Sequence, residues 1–87
     1  MMSLEQLREE IDAIDEQLVK LFVKRMGVSA KVAEYKKQNG LAVQDSSREG
    51  CVLERVATLA GKEWEAQVQD LYVKMLEISR AYQNSRL

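Results

Sequence analysis

The stretch "LREEIDAIDEQLVKLFVKRM", residues 7–26, decides how the chain folds. Its apolar residues Leu7, Ile11, Ile14, Leu18 and Leu21 are three or four positions apart, so they line one side of an α-helix. Leu4 precedes the series, and Val28, Val32 and Tyr35 continue it. Such spacing is a heptad seam, here sustained over the first ~35 residues, or ~52 Å of helix at 1.5 Å per residue. Ser3 is placed to cap the helix at its start, and Asn39-Gly40 to stop it. Between Leu21 and Val28 the seam calls for one more apolar residue and carries Arg25 instead.

The rest of the chain keeps the helical period. A second helix is expected from Ser46, presenting Val52, Leu53, Val56, Leu59 and Ala60 before Gly61 turns the chain. A third runs from about Lys62 or Glu63 to about Arg86. Val68, Leu71, Met75, Ile78 and Tyr82 form its apolar face, and Tyr72 and Leu76 widen it. No strand-like alternation, repeat or low-complexity tract interrupts the pattern. The expected fold is all-α: a single domain over residues 1–87, with helices at about 3–38, 46–60 and 63–86. A first helix this long cannot bury its whole stripe against two shorter ones, so a second copy of the chain is expected to cover it. A coiled-coil dimer without a ligand site accounts for the seam equally well. It leaves Arg25 unexplained.

Composition narrows the function. The 87 residues are 46% hydrophobic and 31% charged, with no proline and four glycines, which suits a folded helical protein. Thirteen basic and fourteen acidic side chains leave a net charge of −1, so neither nucleic acid nor a membrane surface is an expected partner. No apolar run reaches ~18 residues and the N-terminus lacks a signal-peptide pattern, so a cytoplasmic location is expected. Cys51, the only cysteine, cannot form an intramolecular disulfide and reads as packing on an apolar helix face. Histidine is absent. That excludes Ser-His-Asp and Cys-His nucleophilic sites and histidine-ligated metals. Any chemistry here proceeds without the usual general base.

Several polar residues share one surface. Lys36 lies eleven positions after Arg25, three turns and ~20° round the helix, so both project from one face with Cα atoms ~16 Å apart. Two long side chains leaning toward each other there could grip something small. Ser79 and Gln83, four apart, extend the stripe of Tyr72 and Leu76 and should point inward. In "LAVQDSSREG", residues 41–50, Ser46 and Glu49 fit a capping box; alternatively Asp45, Arg48 and Glu49 are aimed at a ligand. A glutamate turned inward cannot also close the box. Each residue has a plain reading: Arg25 paired with a neighbouring carboxylate, Lys36 solvated, Ser79 and Gln83 at a border, Arg8 paired with Asp12. Together those readings require polar groups to gather on apolar faces by coincidence. Buried cations without partners are costly, so such a site would await an anion. The planar arginine fork suits carboxylates. Cations joined by a hydroxyl, an amide and one carboxylate suit a small dianion that itself carries a hydroxyl.

In the order and spacing of these residues the chain resembles the all-helical chorismate mutases, the AroQ class. The likeness covers "LREEIDAIDEQLVKLFVKRM", "VAEYKKQNG", "VQDSSREGCVLERV" and "EISRAYQ". It implies an intertwined homodimer with two active sites, each built from both chains, rearranging chorismate to prephenate in phenylalanine and tyrosine biosynthesis without a cofactor. By that resemblance Arg8 binds a substrate carboxylate in the partner's site, and Arg25 binds one within its own chain. Lys36 donates to the ether oxygen and a carboxylate, and Gln83 donates to the ether oxygen. The backbone N–H of Asp45, with Glu49, addresses the ring hydroxyl; Arg48 lies at the site's edge; Ser79 contacts a carboxylate. Lys36, Gln83 and Arg25 would then be the catalytic set. Ala42 departs from the family, which often has proline there, and bears on loop rigidity rather than chemistry. Isochorismate-pyruvate lyases share the bundle but lack the glutamate matched by Glu49, so Glu49 favours the mutase. A non-catalytic dimerisation or regulatory module is the remaining alternative.

Overall fold

The structure, a computed structural model, describes residues 2–86. It contains helices α1 (Leu4–Gln38), α2 (Ser46–Ala60) and α3 (Glu65–Ser85). At the start of α1 the Gln6 backbone N–H donates to Ser3 Oγ at 3.1 Å and the Ser3 N–H donates to Gln6 Oε1 at 2.9 Å, a reciprocal capping box. Its end is a Schellman turn. Leu41 N–H donates to Lys36 O at 2.8 Å and Gly40 N–H to Lys37 O at 3.4 Å, with Gly40 at φ +65°, where a Cβ would be strained.

The start of α2 differs from the Ser46–Glu49 capping box that the sequence allows. Asp45 is the N-cap: its Oδ1 accepts the Arg48 backbone N–H at 3.0 Å, and Ser46 is already helical. A carboxylate there also faces the positive end of the helix dipole. Glu49 is thereby released from capping. Asp45→Ala is expected to cost about 1 kcal/mol and to lower a thermal melting midpoint by about 5 °C, read by circular dichroism.

Helix α3 begins later than Lys62 or Glu63. Gly61, at φ +80°, leads into a tight turn closed by Trp64 N–H donating to Gly61 O at 3.2 Å, which takes up residues 62–64. The inward face of α3 is also rotated from the expected one. Leu76 is buried with Ser79 and Gln83, and Tyr72 is half-buried, while Leu71 and Ile78 are exposed. The cause is that α3 is the element packed on both α2 and α1, so its centre line faces the groove between them. Val52, Val56 and Leu76 form the core, flanked by Leu53, Val68 and Tyr72. Cys51 lies outside this contact and is exposed, against the packing role expected of it.

Only Ser29 and Ala33 of α1 are buried. The seam is bare: Leu7, Ile11, Ile14, Leu18 and Leu21 are 43–62% exposed, along one side of a molecule 56 Å in its longest dimension. A row of large apolar side chains on one face of one helix is far more than scattered surface hydrophobicity. Among the described residues, no helix is long and apolar enough to cross a membrane.

Candidate active site

Where α1 meets α3 the contact is polar. Arg25 Nη1 donates to Ser79 Oγ at 3.2 Å, and its guanidinium lies 5.8 Å from the centre of the Tyr72 ring. One turn further along, Gln83 Nε2 donates to Ser29 Oγ at 2.8 Å, both side chains being buried. At the end of α1, Lys36 Nζ donates to the carbonyl of Val43 at 2.6 Å, which ties the ammonium to the loop before α2. On the opposite wall, Arg80 of α3 and Glu49 of α2 form an ion pair between partly buried side chains.

These groups surround one open cavity of about 320 Å³, within the usual range for small-molecule pockets. Of the residues singled out from sequence, Arg25 and Lys36 reach it from α1, Asp45, Arg48 and Glu49 from the start of α2, and Ser79 and Gln83 from α3. Arg8 does not. It is exposed, makes no ion pair with Asp12, and lies ~25 Å along α1 from Arg25 at the helical rise. Within one chain it cannot reach the cavity.

Electrostatically the cavity is unfinished. Among the described residues, none of Arg25, Lys36 and Arg48 is in an ion pair. Gln83 Oε1 is buried with no hydrogen-bond partner, a cost of about 1–3 kcal/mol unless something supplies a donor or the amide turns over. No three acidic or cysteine side chains among the described residues gather to hold a metal ion. The arrangement suits an anion with more than one carboxylate and an acceptor near Gln83.

In sequence the chain is similar to known proteins. The family model for chorismate mutase type II matches residues 7–84. The chain belongs to the type II chorismate mutase family. It is 36% identical to a chorismate mutase of Methanocaldococcus jannaschii over 56 residues, 64% of this chain and 57% of that protein. It is 32% identical to the T-protein of Haemophilus influenzae over 77 residues, 88% of this chain and 19% of that protein. The matched segment thus spans less than two thirds of either relative's own length. No solved structure gives a significant match. Two polar cavity residues of this family member were not singled out from sequence. Ser29 reads as a small residue on a long helix, and Arg80 as a solvated neighbour of Ser79. Only the side-chain contacts to Gln83 and Glu49 mark them.

Proposed function

We propose that this chain is a chorismate mutase, catalysing the unimolecular rearrangement of chorismate to prephenate for aromatic amino acid biosynthesis, as an intertwined homodimer. The observation that carries this reading is the cavity, where Arg25 and Lys36 of α1, Arg48 of α2 and the Gln83 amide of α3 converge. The family membership supports the same substrate.

In this reaction one C–O bond breaks as one C–C bond forms, and no proton moves, so the absence of histidine is no obstacle. Catalysis then needs two things. Arg25 and Ser79 hold one carboxylate, with Arg48 at the edge, so that the flexible side chain is kept over the ring in the reactive conformer. Negative charge developing on the ether oxygen meets donors already in place. Lys36 has three N–H groups, of which the Val43 carbonyl takes one, leaving two for substrate. Gln83 contributes after its amide turns over: Ser29 Oγ–H then donates to Oε1, satisfying the orphaned oxygen, and Nε2 faces the cavity. A serine hydroxyl serves either orientation, since it both donates and accepts. Glu49 and the backbone N–H of Asp45 receive the ring hydroxyl.

The second copy has two tasks. It covers the bare seam of α1, and it brings its own Arg8 to the second carboxylate, which no residue of one chain's α1 start can reach.

The testing experiment supplies purified protein with chorismate and isochorismate in parallel. Prephenate from the first and no pyruvate from the second is the expected result. Pyruvate from isochorismate alone would assign the chain to the lyases instead. Because Gln83 is a neutral amide that donates at any pH, kcat is expected to hold from pH 6 to roughly 8. A rate that collapsed over that interval would contradict the roles given to these donors.

A further inference from the structure

A glutamate in a site built for a dianion raises a problem. Glu49 lines the same cavity as Arg25, Lys36 and Arg48, and its negative charge opposes the very carboxylates they attract. It also carries three rotatable bonds and, freed from capping, has no tie to its own helix. The structure answers both difficulties with one side chain. Arg80 projects from α3, one position after Ser79, and its Nη1 donates to Glu49 Oε1. The two side chains are 30% and 21% exposed, so water screens the pair only partly. Among the described residues Glu49 Oε2 has no donor, which leaves one oxygen of this cavity-lining side chain able to accept from a ligand.

We infer that Arg80 is a positioning residue: it neutralises Glu49 and fixes its carboxylate, so that a dianionic substrate can be read at its hydroxyl without being repelled. This role rests on the chorismate reading of the cavity. Arg80 need not touch the substrate to perform it. Charge cancellation acts on the bound substrate and on the transition state alike, since both carry the same two carboxylates. Its loss therefore falls on KM more than on kcat.

The test is a double-mutant cycle in the full chain, with kcat, KM and the helical circular dichroism of each protein measured on chorismate. Arg80→Met, which keeps an unbranched apolar stem and removes the charged guanidinium, is expected to raise KM about tenfold while kcat stays within about threefold. Arg80→Lys, which restores the charge without the fork, is expected to recover part of that loss. In a Glu49→Gln background, Arg80→Met is expected to change KM by less than about twofold, because the carboxylate it fixes is gone and only a screened attraction between Arg80 and the substrate is left to lose. An undiminished tenfold effect in that background would overturn the inference and make Arg80 a direct carboxylate ligand. A lowered melting midpoint with KM and kcat both unchanged would overturn it in favour of a purely structural tie. If Arg80→Met does not fold, Arg80→Gln takes its place in the same cycle. A wild-type protein that leaves chorismate untouched would overturn the substrate reading and this role with it, whereas additive effects in an active protein overturn this role alone.

Discussion

Lys36→Ala is expected to lower kcat on chorismate by about three orders of magnitude while the helical circular dichroism is retained. Removing one preorganised neutral donor from a site of developing charge typically costs 10²–10³-fold, and Lys36 supplies a full charge as well as a donor. The effect should lie in kcat, because the ether oxygen gains its negative charge only on the way to the transition state. Substrate binding should weaken less, since the carboxylate grip proposed for Arg25 and the partner's Arg8 is untouched. The fold should survive: Lys36 is half-buried at the end of α1, and among the described residues its ammonium donates one hydrogen bond, to the Val43 carbonyl in a loop that can turn to water. An alanine variant that kept a tenth of the native kcat would remove the ammonium from the centre of the mechanism.

Arg25→Ala is expected to lower kcat/KM by about 10²–10³-fold, divided between a raised KM and a lowered kcat. A carboxylate grip contributes to binding, and it also restrains the conformer from which the bond forms. The same substitution separates the enzyme from a non-catalytic helical module. In such a module Arg25 would be a misplaced seam cation, and alanine would stabilise the fold without other consequence. The contacts of Arg25 point away from that account. It is half-buried, donates to Ser79 and lies over Tyr72, and none of the described carboxylates pairs with it. A more stable Arg25→Ala protein, with chorismate left untouched by it and by the native protein alike, would restore the module reading.

Much of the architecture is legible because helical period is a local property. The three-and-four spacing from Leu4 to Tyr35 marks α1 without knowledge of any contact, and Ser3 and Gly40 mark its ends by cap chemistry. The interruption at Arg25 is legible for the same reason. Tertiary facts are less so. Asp45 and Ser46 are both good N-caps, and the choice between them depends on where the loop delivers the chain. The inward face of α3 could be read one residue off, since Leu71, Tyr72, Met75 and Leu76 are all apolar and only packing against two helices at once selects Tyr72 and Leu76. Ser29 and Arg80 carry no signal of their own. A serine in the middle of a helix and an arginine beside a buried serine are ordinary until Gln83 and Glu49 are seen to meet them.

Arg8 and the bare seam bring the two halves of the account together, because a site that borrows an arginine from another chain can be restored by mixing. In the proposed dimer, Arg8→Ala would lack the borrowed cation in both sites, and Lys36→Ala the ammonium in both. A mixed dimer places both lesions in one site and leaves the other intact. After unfolding and refolding an equimolar mixture of the two inactive variants, about a quarter of the native activity is expected, from half the dimers carrying one whole site each. A mixture as inactive as its components, with dimers formed, would contradict a site shared between chains and the mechanism built on it.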